Sequence, residues 1–328
     1  MRVRVPAFAK VNLSLKVLWR REDGFHEIAT VFQTVSLADE LEIEAEHCRE
    51  TAVLCTADVE IPGENLAVRA ARGLLEEVGV RARVGIHIRK RIPMGGGLAG
   101  GSTDAVAVLL ALPVLLGFAV SEPAMARVAG ELGSDLPFFL RGGRARAGGR
   151  GERLAEMAEC GEDWHGVLVA PGVGIPTPGA YRALGRPREA ELTEAERDEI
   201  MEKFRALVAL LQEGGPPGDW AAFSENDFER VAIAEHAELG QMLERIAASG
   251  AKLVRMSGSG SSLYGFYESE QAAQAAESLL KSQLSGHVTD VRVERFHTIN
   301  RRQYERAWHT ALASLTDGTS WPPRSLVV

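Results

Sequence analysis

The 328-residue chain has 37 basic and 45 acidic residues, a net charge of −8, and no run of five or six basic residues. A general nucleic-acid surface or anionic-membrane surface is therefore not expected. Apolar residues make up 45% and charged residues 25% of the chain, close to the averages of globular proteins, which excludes disorder and coiled coil for the chain as a whole. At roughly 150 residues per domain, the length predicts about two domains.

The cysteines and the apolar segments predict the compartment. Cys48, Cys55 and Cys160 form an odd set without CxxC spacing, and the N-terminal MRVRVPAFAK lacks the apolar segment of a signal peptide. Residues 105–121 form the longest uncharged stretch, which is too short for a confident membrane span and predicts a buried helix instead. We therefore expect a cytoplasmic protein with reduced thiols.

The first half of the chain alternates between strand and helix patterns. Residues 1–46 predict strands, and the alternation in residues 10–17 places Lys10 and Asn12 on the face opposite the core. The elements predicted next are a helix over residues 65–78, a strand around residues 84–88, a helix after a glycine-rich loop, and a helix around residues 123–132, followed by a loop at residues 133–139.

The second half predicts an α+β domain. A shift to Gly-rich and Arg-rich composition over residues 142–151 places a domain boundary near residue 150. Residues 297–328 are predicted as a polar tail. The elements predicted between them are a strand at 166–169, a turn at 176–178, a charged helix from the capping box at 193–196 to Gly214, a helix over 235–249, a strand at 263–267, a helix over 272–284 and a strand at 288–296.

Residues 94–103 concentrate glycine in front of an apolar helix. Gly95, Gly97 and Gly100 satisfy G-x-G-x-x-G, but no acidic residue follows about 20 positions later, as a dinucleotide-binding fold requires. The P-loop pattern also fails, because Ser102 stands where its lysine is needed. What remains is a helix N-terminus with free backbone amides, which binds phosphate. The alternative is a flexible connector that needs glycine only for its turns.

Two charged residues complete a candidate site. Asp135 lies in a Gly-Ser-Asp-Leu-Pro segment, where a turn or helix-capping role is commonest, and Lys10 could equally be a solvated strand residue. Beside a phosphate-binding loop, however, a carboxylate and a lysine supply a base and a stabilising cation, as phosphoryl transfer requires. Residues 257–262 form a second glycine motif that is either a tight connection or a second phosphate contact. No spacing typical of zinc ligands or of a serine nucleophile occurs in the sequence.

Together these motifs resemble the GHMP kinase superfamily, and they occur in order over about residues 1–296. Asp-Gly-Phe-His and Ile-Pro-Thr-Pro narrow the resemblance to the members that phosphorylate a cytidine-diphosphate-linked methylerythritol in the non-mevalonate isoprenoid pathway. The matching segments lie at residues 6–13, 23–28, 93–105, 132–139, 171–178, 226–229 and 257–260.

The resemblance implies an α+β, two-domain GHMP kinase fold. Residues 1–150 would form an ATP-binding domain like ribosomal protein S5 domain 2, residues 151–296 a ferredoxin-like substrate domain, and residues 297–328 an extension of unknown role. It further implies transfer of a phosphoryl group to the 2-hydroxyl of the substrate, with ATP as co-substrate and Mg²⁺ as cofactor. The partner would be a small molecule with a cytidine diphosphate group, without nucleic acid or membrane, and the protein a monomer or homodimer.

The resemblance also assigns site residues. Asp135 would be the general base and Lys10 its electrostatic partner. The family usually has tyrosine in place of Phe25 and often phenylalanine in place of Tyr181, so an aromatic face is kept at both. The residues expected to hold ATP are Pro93, Met94, Gly95, Gly96, Gly97, Leu98, Ala99, Gly100, Gly101, Ser102 and Thr103. Those expected to bind the substrate are Asn12, Phe25, His26, Thr177 and Tyr181, of which Phe25, His26 and Tyr181 would contact cytosine.

Two alternatives are open at this point. The chain could be another GHMP kinase of small molecules, of the homoserine or mevalonate type, which would need no cytosine site. It could also be a catalytically silent binding protein on the same fold, against which the presence of Lys10 and Asp135 argues. The segment around residues 186–200 has no recognised counterpart.

Overall fold

The computed structural model describes residues 1–159, 163–284 and 291–326. Within residues 1–159, six strands form one sheet in the order β3-β4-β2-β5-β6, with β1 also paired to β2. The strands are β1 (Arg2–Arg20), β2 (His26–His47), β3 (Ala52–Ala57), β4 (Ala82–Arg89), β5 (Arg144–Gly148) and β6 (Arg153–Glu156), and the helices are α1 (Leu66–Glu77), α2 (Gly100–Leu116), α3 (Glu122–Leu132) and α4 (Leu136–Phe139).

These elements confirm the predicted strands of residues 1–46, the helices near 65–78 and 123–132, and the strand near 84–88. One prediction was wrong: the loop expected at residues 133–139 contains the single turn of α4. The Gly-rich and Arg-rich segment at residues 142–151 contains β5, and the first sheet continues as far as Glu156. Gly133 and Pro137 favoured a loop around α4, and the glycines on either side of β5 concealed a short strand, because neither residue type favours the interior of a helix or strand.

Strand β1 is buried on both faces. Lys10 and Asn12 project from the face opposite the core, as predicted, yet only 3% and 1% of their surfaces are exposed. The second half of the chain covers that face: Ser224 Oγ donates to the Leu13 carbonyl, and the Leu15 amide donates to Glu225. A strand with polar residues facing a protein interior must satisfy them within that interior.

Helix α2 is the most deeply buried helix of the first domain. Its residues Thr103 to Leu116 are all buried, and Pro113 lies within the helix, which ends at the left-handed Gly117. Across the described residues, no helix combines the length and the apolar character needed to span a membrane. The uncharged stretch is therefore the core helix that the sequence predicted.

The described residues after 159 include a second, four-stranded antiparallel sheet. Its order, β10-β7-β9-β8, is fourth-first-third-second along the chain, and helices connect the first to the second strand and the third to the fourth, as in ferredoxin-like domains. The strands are β7 (His165–Ala170), β8 (Leu253–Met256), β9 (Leu263–Tyr267) and β10 (Arg292–His297). The helices are α5 (Thr177–Leu184), α6 (Glu194–Glu213), α7 (Pro217–Trp220), α8 (Asp227–Glu235), α9 (Ala237–Ala248) and α10 (Glu270–Leu284).

The capping box at Thr193 starts α6 as predicted, because its side chain and that of Glu196 satisfy each other's backbone amides. The turn predicted at residues 176–178 is the start of α5. Helix α8, which Asn226 caps, was not predicted, because its nine residues are too few to show a repeated apolar pattern. Cys160 and residues 288–290 of the predicted last strand lie outside the described residues.

The C-terminal tail is not merely polar. Residues Arg301–Ala311 form α11, whose Tyr304 and Trp308 are each only 1% exposed and pack into the core of the first domain. The chain thus leaves β10 of the second sheet and returns to the first domain.

The two glycine motifs pack backbone against backbone where the domains meet. Ser257 Oγ donates to the Gly97 carbonyl at 3.0 Å, and the Ser262 amide donates to Gly96 at 3.2 Å. Gly97 has a φ of +75°, and a Cβ added to it would overlap the Ser257 carbonyl. Glycine is required at this position by both backbone conformation and space.

We therefore expect Gly97→Ala to lower the free energy of unfolding by about 2–4 kcal/mol, the sum of left-handed strain and overlap. Gly101→Ala is the matched control: its Cβ would meet only Leu66 at 3.8 Å, and alanine favours the helix by up to about 1 kcal/mol. Urea denaturation without nucleotide measures both. Equal stability of the two variants would contradict the proposed backbone contact.

Candidate active site

Lys10 is held at the centre of the domain junction. Its Nζ donates to Asn12 Oδ1 at 2.7 Å and to the Gly97 carbonyl at 3.0 Å, and lies 3.5 Å from Asp135 Oδ2. Burial lowers the pKa of the Lys10 ammonium, and the Asp135 carboxylate opposes that shift. Because every near neighbour is an oxygen, the site stabilises the charged form in an interior that would otherwise neutralise it.

Asp135 is the accessible member of this pair. It occupies the position just before α4, yet among the described residues its carboxylate accepts no capping hydrogen bond. The side chain is 34% exposed, against 4% for Lys10. Asp135 therefore does not cap the helix, which is the role that the sequence left open. Its carboxylate is partly exposed to solvent, and Oδ2 lies beside Lys10.

The first glycine loop delivers the N-terminus of α2 to the same place. Gly95, Gly97 and Ala99 have positive φ, and Ala99, the residue before the helix, lies in the left-handed region at φ 59°. Within the described chain, no side chain caps α2, and its first turn has no acidic residue. The first amides of a 17-residue buried helix are thus available to an anion.

The second glycine loop is fixed by Asn226. Its Nδ2 donates to the carbonyls of Met256 and Gly258 at 2.7 and 2.9 Å, and the Gly258 amide donates to Asn12 Oδ1 at 2.9 Å. Asn12 therefore links the second loop to Lys10. Residues 226–229 match a family motif in the sequence, but only the structure shows that Asn226 holds this loop.

A cavity of about 580 Å³ lies between the two loops. Lys10, Asn12, Asp135, Thr177 and Tyr181 line it. From the glycine loop, the residues that line it are Pro93, Met94, Gly95, Gly96, Gly97, Leu98, Ala99, Gly100, Gly101 and Ser102; Thr103 instead faces the core and is buried. Most of the residues predicted from the sequence are thus brought together around one space.

Of the three aromatic residues predicted to contact cytosine, only Tyr181 lines the cavity. The His26 ring stacks directly on Tyr181, with centroids 4.9 Å apart and planes at 24°. Phe25 is 53% exposed, and the Arg150 guanidinium lies 4.7 Å above its ring. Phe25 and His26 are therefore at the edge of the cavity rather than in its lining. Burial raises the pKa of the Tyr181 hydroxyl to about 12, so it is neutral near pH 7.

A buried ion cluster beneath the glycine loop was not predicted. Lys90 Nζ contacts Asp39 and lies 2.8 Å from Asp104 Oδ2, and each of these side chains is at most 6% exposed. Asp39 also accepts the amides of Arg91 and Ile92. In the sequence, Lys90 lies just upstream of the glycine loop, but its partner Asp39 is 51 residues away, so the pairing is not visible in the local pattern. The cluster ties the entry of the loop to β2 and α2.

Two carboxylates share one ammonium in this cluster. Burial raises the pKa of the Asp104 carboxyl to about 7, against the attraction of Lys90 and with repulsion from Asp39 adding to the rise. In the described structure, Asp104 Oδ1 has no hydrogen-bond partner. The folded chain therefore retains a proton on Asp104 that the unfolded chain releases at lower pH, and stability falls as pH rises toward 7.

Asp104→Asn, which mimics the protonated acid, should remove that pH dependence. Each pH unit over which the folded state holds one extra proton changes stability by about 1.4 kcal/mol. Between pH 5 and pH 7 the wild type should thus lose about 2 kcal/mol relative to Asp104→Asn in urea denaturation. Asp198→Asn, at an exposed ion pair with Arg205, is the control and should follow the wild type. Parallel profiles for wild type and Asp104→Asn would contradict the assignment.

Both halves of the chain match models of a known protein family. Residues 65–143 match the model "GHMP kinases N terminal domain", and residues 200–286 match "GHMP kinases C terminal". A solved homoserine kinase from Cytophaga hutchinsonii superposes with a TM-score of 0.70 over 91% of this chain and 95% of its own, at 17% identity, which shows a shared fold.

One sequence relative and one solved structure are similar to this chain in sequence as well as in fold. The 4-diphosphocytidyl-2-C-methyl-D-erythritol kinase of Solibacter usitatus is 41% identical over 97% of this chain and 96% of its own length. A crystal structure of 4-(cytidine 5'-diphospho)-2C-methyl-D-erythritol kinase superposes with a TM-score of 0.70 at 35% identity, covering 90% of this chain and 98% of that one. With both GHMP domains and these relatives, the chain belongs to the 4-diphosphocytidyl-2-C-methyl-D-erythritol kinase family of ATP-dependent phosphotransferases.

Proposed function

We propose that this kinase transfers the γ-phosphoryl group of ATP to the 2-hydroxyl of 4-diphosphocytidyl-2-C-methyl-D-erythritol, with Asp135 as the general base. One observation carries the assignment of Asp135: its accessible carboxylate, which makes no capping hydrogen bond, lies 3.5 Å from a buried lysine in the lining of the cavity. A carboxylate so placed is free to accept a proton from a bound hydroxyl.

The proposed step has two parts that occur together. Asp135 takes the proton of the substrate 2-hydroxyl while the hydroxyl oxygen forms a bond to the γ-phosphorus of ATP. The bond between the γ-phosphorus and the oxygen that bridges it to the β-phosphorus breaks, and ADP is released. Lys10 remains protonated and stabilises the negative charge that develops on the attacking oxygen. Its three oxygen neighbours and its burial hold the ammonium in place without a large rearrangement.

The α2 N-terminus is the proposed site of the ATP phosphates. Gly100, Gly101 and Ser102 line the cavity at the first turn of α2, which no side chain of the described residues caps, and the helix dipole favours an anion there. Ile61, Pro62 and Leu66 line the cavity beside Glu64 and Asn65, and apolar side chains with polar neighbours suit a base ring with a polar edge.

Mg²⁺ is proposed to enter with ATP. Within the described residues, no group of three or more His, Cys, Asp or Glu could hold a metal ion by itself. Mg²⁺ commonly takes phosphate oxygens, water and one or two protein oxygens, and Ser102, which lines the cavity at the start of α2, would supply one of them. The ion would neutralise phosphate charge during transfer.

The cytidine group is proposed to bind at Tyr181. The His26 ring stacks on one face of the Tyr181 ring, and the Phe228 and Tyr181 rings meet edge to face with centroids 4.8 Å apart. A stacked cytosine would replace His26 on the ring and leave the imidazole at the base edge, with Phe25 nearby. Thr177, bonded to Ser259 at 2.9 Å, would contact the diphosphate side.

Asp135→Asn tests the proposed base. It keeps the shape of the side chain but cannot accept the proton, so kcat should fall about 10²- to 10⁴-fold while both KM values stay within threefold. Asp198→Asn should keep wild-type turnover, because Asp198 lies on the exposed surface of α6. Turnover by Asp135→Asn above a tenth of the wild-type rate, measured by ADP release, would rule out Asp135 as the base.

Tyr181→Ala tests the cytidine site. Base stacking on an aromatic ring is worth roughly 1–3 kcal/mol, so KM for the cytidylyl substrate should rise about five- to a hundredfold while KM for ATP changes little. Tyr181→Phe keeps the ring and should raise the same KM less than threefold. If alanine lowers the melting temperature but leaves the substrate KM unchanged, Tyr181 is only a packing residue.

A further inference from the structure

The C-terminal tail contacts the helix that carries Asp135. Helix α4 is a single turn between Asp135 and Leu140, and the last carbonyls of a helix have no partner within it. Two tail side chains supply donors there. Tyr304 Oη donates to the Phe139 carbonyl at 2.6 Å, and Trp321 Nε1 donates to the Leu140 carbonyl at 2.9 Å.

The Tyr304 ring is itself tightly held. It is buried, and the chain after α4 passes so close that a Cβ on Gly142 would lie 2.5 Å from the ring. Gly142 has a φ of +62°. The Trp321 ring meets the Tyr304 ring edge-on, with centroids 5.8 Å apart. Tyr304 cannot move far without displacing the backbone that follows α4, and the Trp321 ring packs against it.

Tyr304 also contacts the strand that carries Lys10. Its ring lies 5.6 Å from that of Phe8, two residues before Lys10 in β1. The start of α11 is fixed by a capping box at Asn300, and Gln33 of β2 donates to the Ile299 carbonyl at 3.1 Å. One tail residue thus bridges the element that holds Lys10 and the element that holds Asp135.

We propose that Tyr304 and Trp321 are positioning residues for phosphoryl transfer, fixing the Asp135 carboxylate relative to Lys10 and the substrate hydroxyl. This inference rests on the proposed role of Asp135. Misplacing a reacting group by about 1 Å can cost about a hundredfold in rate, so a hydrogen bond that orients a one-turn helix affects turnover without contacting the substrate. The tail that the sequence left without a role would then be part of the catalytic framework.

Tyr304→Phe and Trp321→Phe in the full-length enzyme test this. Each removes one donor and keeps a ring, and each should lower kcat about five- to thirtyfold with both KM values within twofold. Tyr267→Phe is the matched control, because it removes a hydroxyl bonded to Ser249 Oγ at 2.7 Å, outside the cavity. Assays run well below the melting temperature of each variant separate a loss of stability from a loss of turnover.

The outcomes are distinct. Loss of kcat in both tail variants but not in Tyr267→Phe supports the inference. The inference is overturned if both tail variants keep turnover within twofold of wild type. It is also overturned if kcat falls in the tail variants but falls equally in Tyr267→Phe. Asp135→Asn is measured in the same series: if it keeps wild-type turnover, the proposed base and this inference both fail, whereas if it is inactive and the tail variants are active, only the inference fails.

Discussion

The site depends on a buried ammonium that must keep its charge. Lys10 has almost no contact with solvent, and burial alone would favour its neutral form. The charge is retained because Asn12, the Gly97 carbonyl and Asp135 all present oxygen to it. These groups come from β1, the first glycine loop and the turn before α4, so one satisfied charge fixes three separate parts of the first domain.

The same requirement explains why the second domain reaches this point. Asn12 accepts hydrogen bonds from Lys10 and from the Gly258 amide, so its amide group joins the cation to the second glycine loop. Asn226 in turn holds that loop by two carbonyls. The first glycine loop, the Lys10 ammonium and the second glycine loop form one hydrogen-bonded network, which restricts how the cavity can change shape.

The sequence predicted those parts of the site that depend on local pattern. Glycine spacing before an apolar helix, a lysine on a polar strand face and a carboxylate in a turn can each be read from neighbouring residues. The Lys90 cluster could not, because its pairing with Asp39 depends on the register of β4 against β2. Helix α11 had a period of four in Tyr304, Trp308 and Leu312, but the charged residues between them concealed its buried face.

The hydrophobic interior is shared between the two halves of the chain. Val11 and Leu13 of β1 lie in one cluster with Phe204, Tyr264 and Phe296 of the second domain, while the returning tail completes the core of the first. A chain cut near residue 150 would leave an apolar face exposed on each fragment. The two domains therefore form a single cooperative folding unit, and heating should melt them in one transition rather than one after the other.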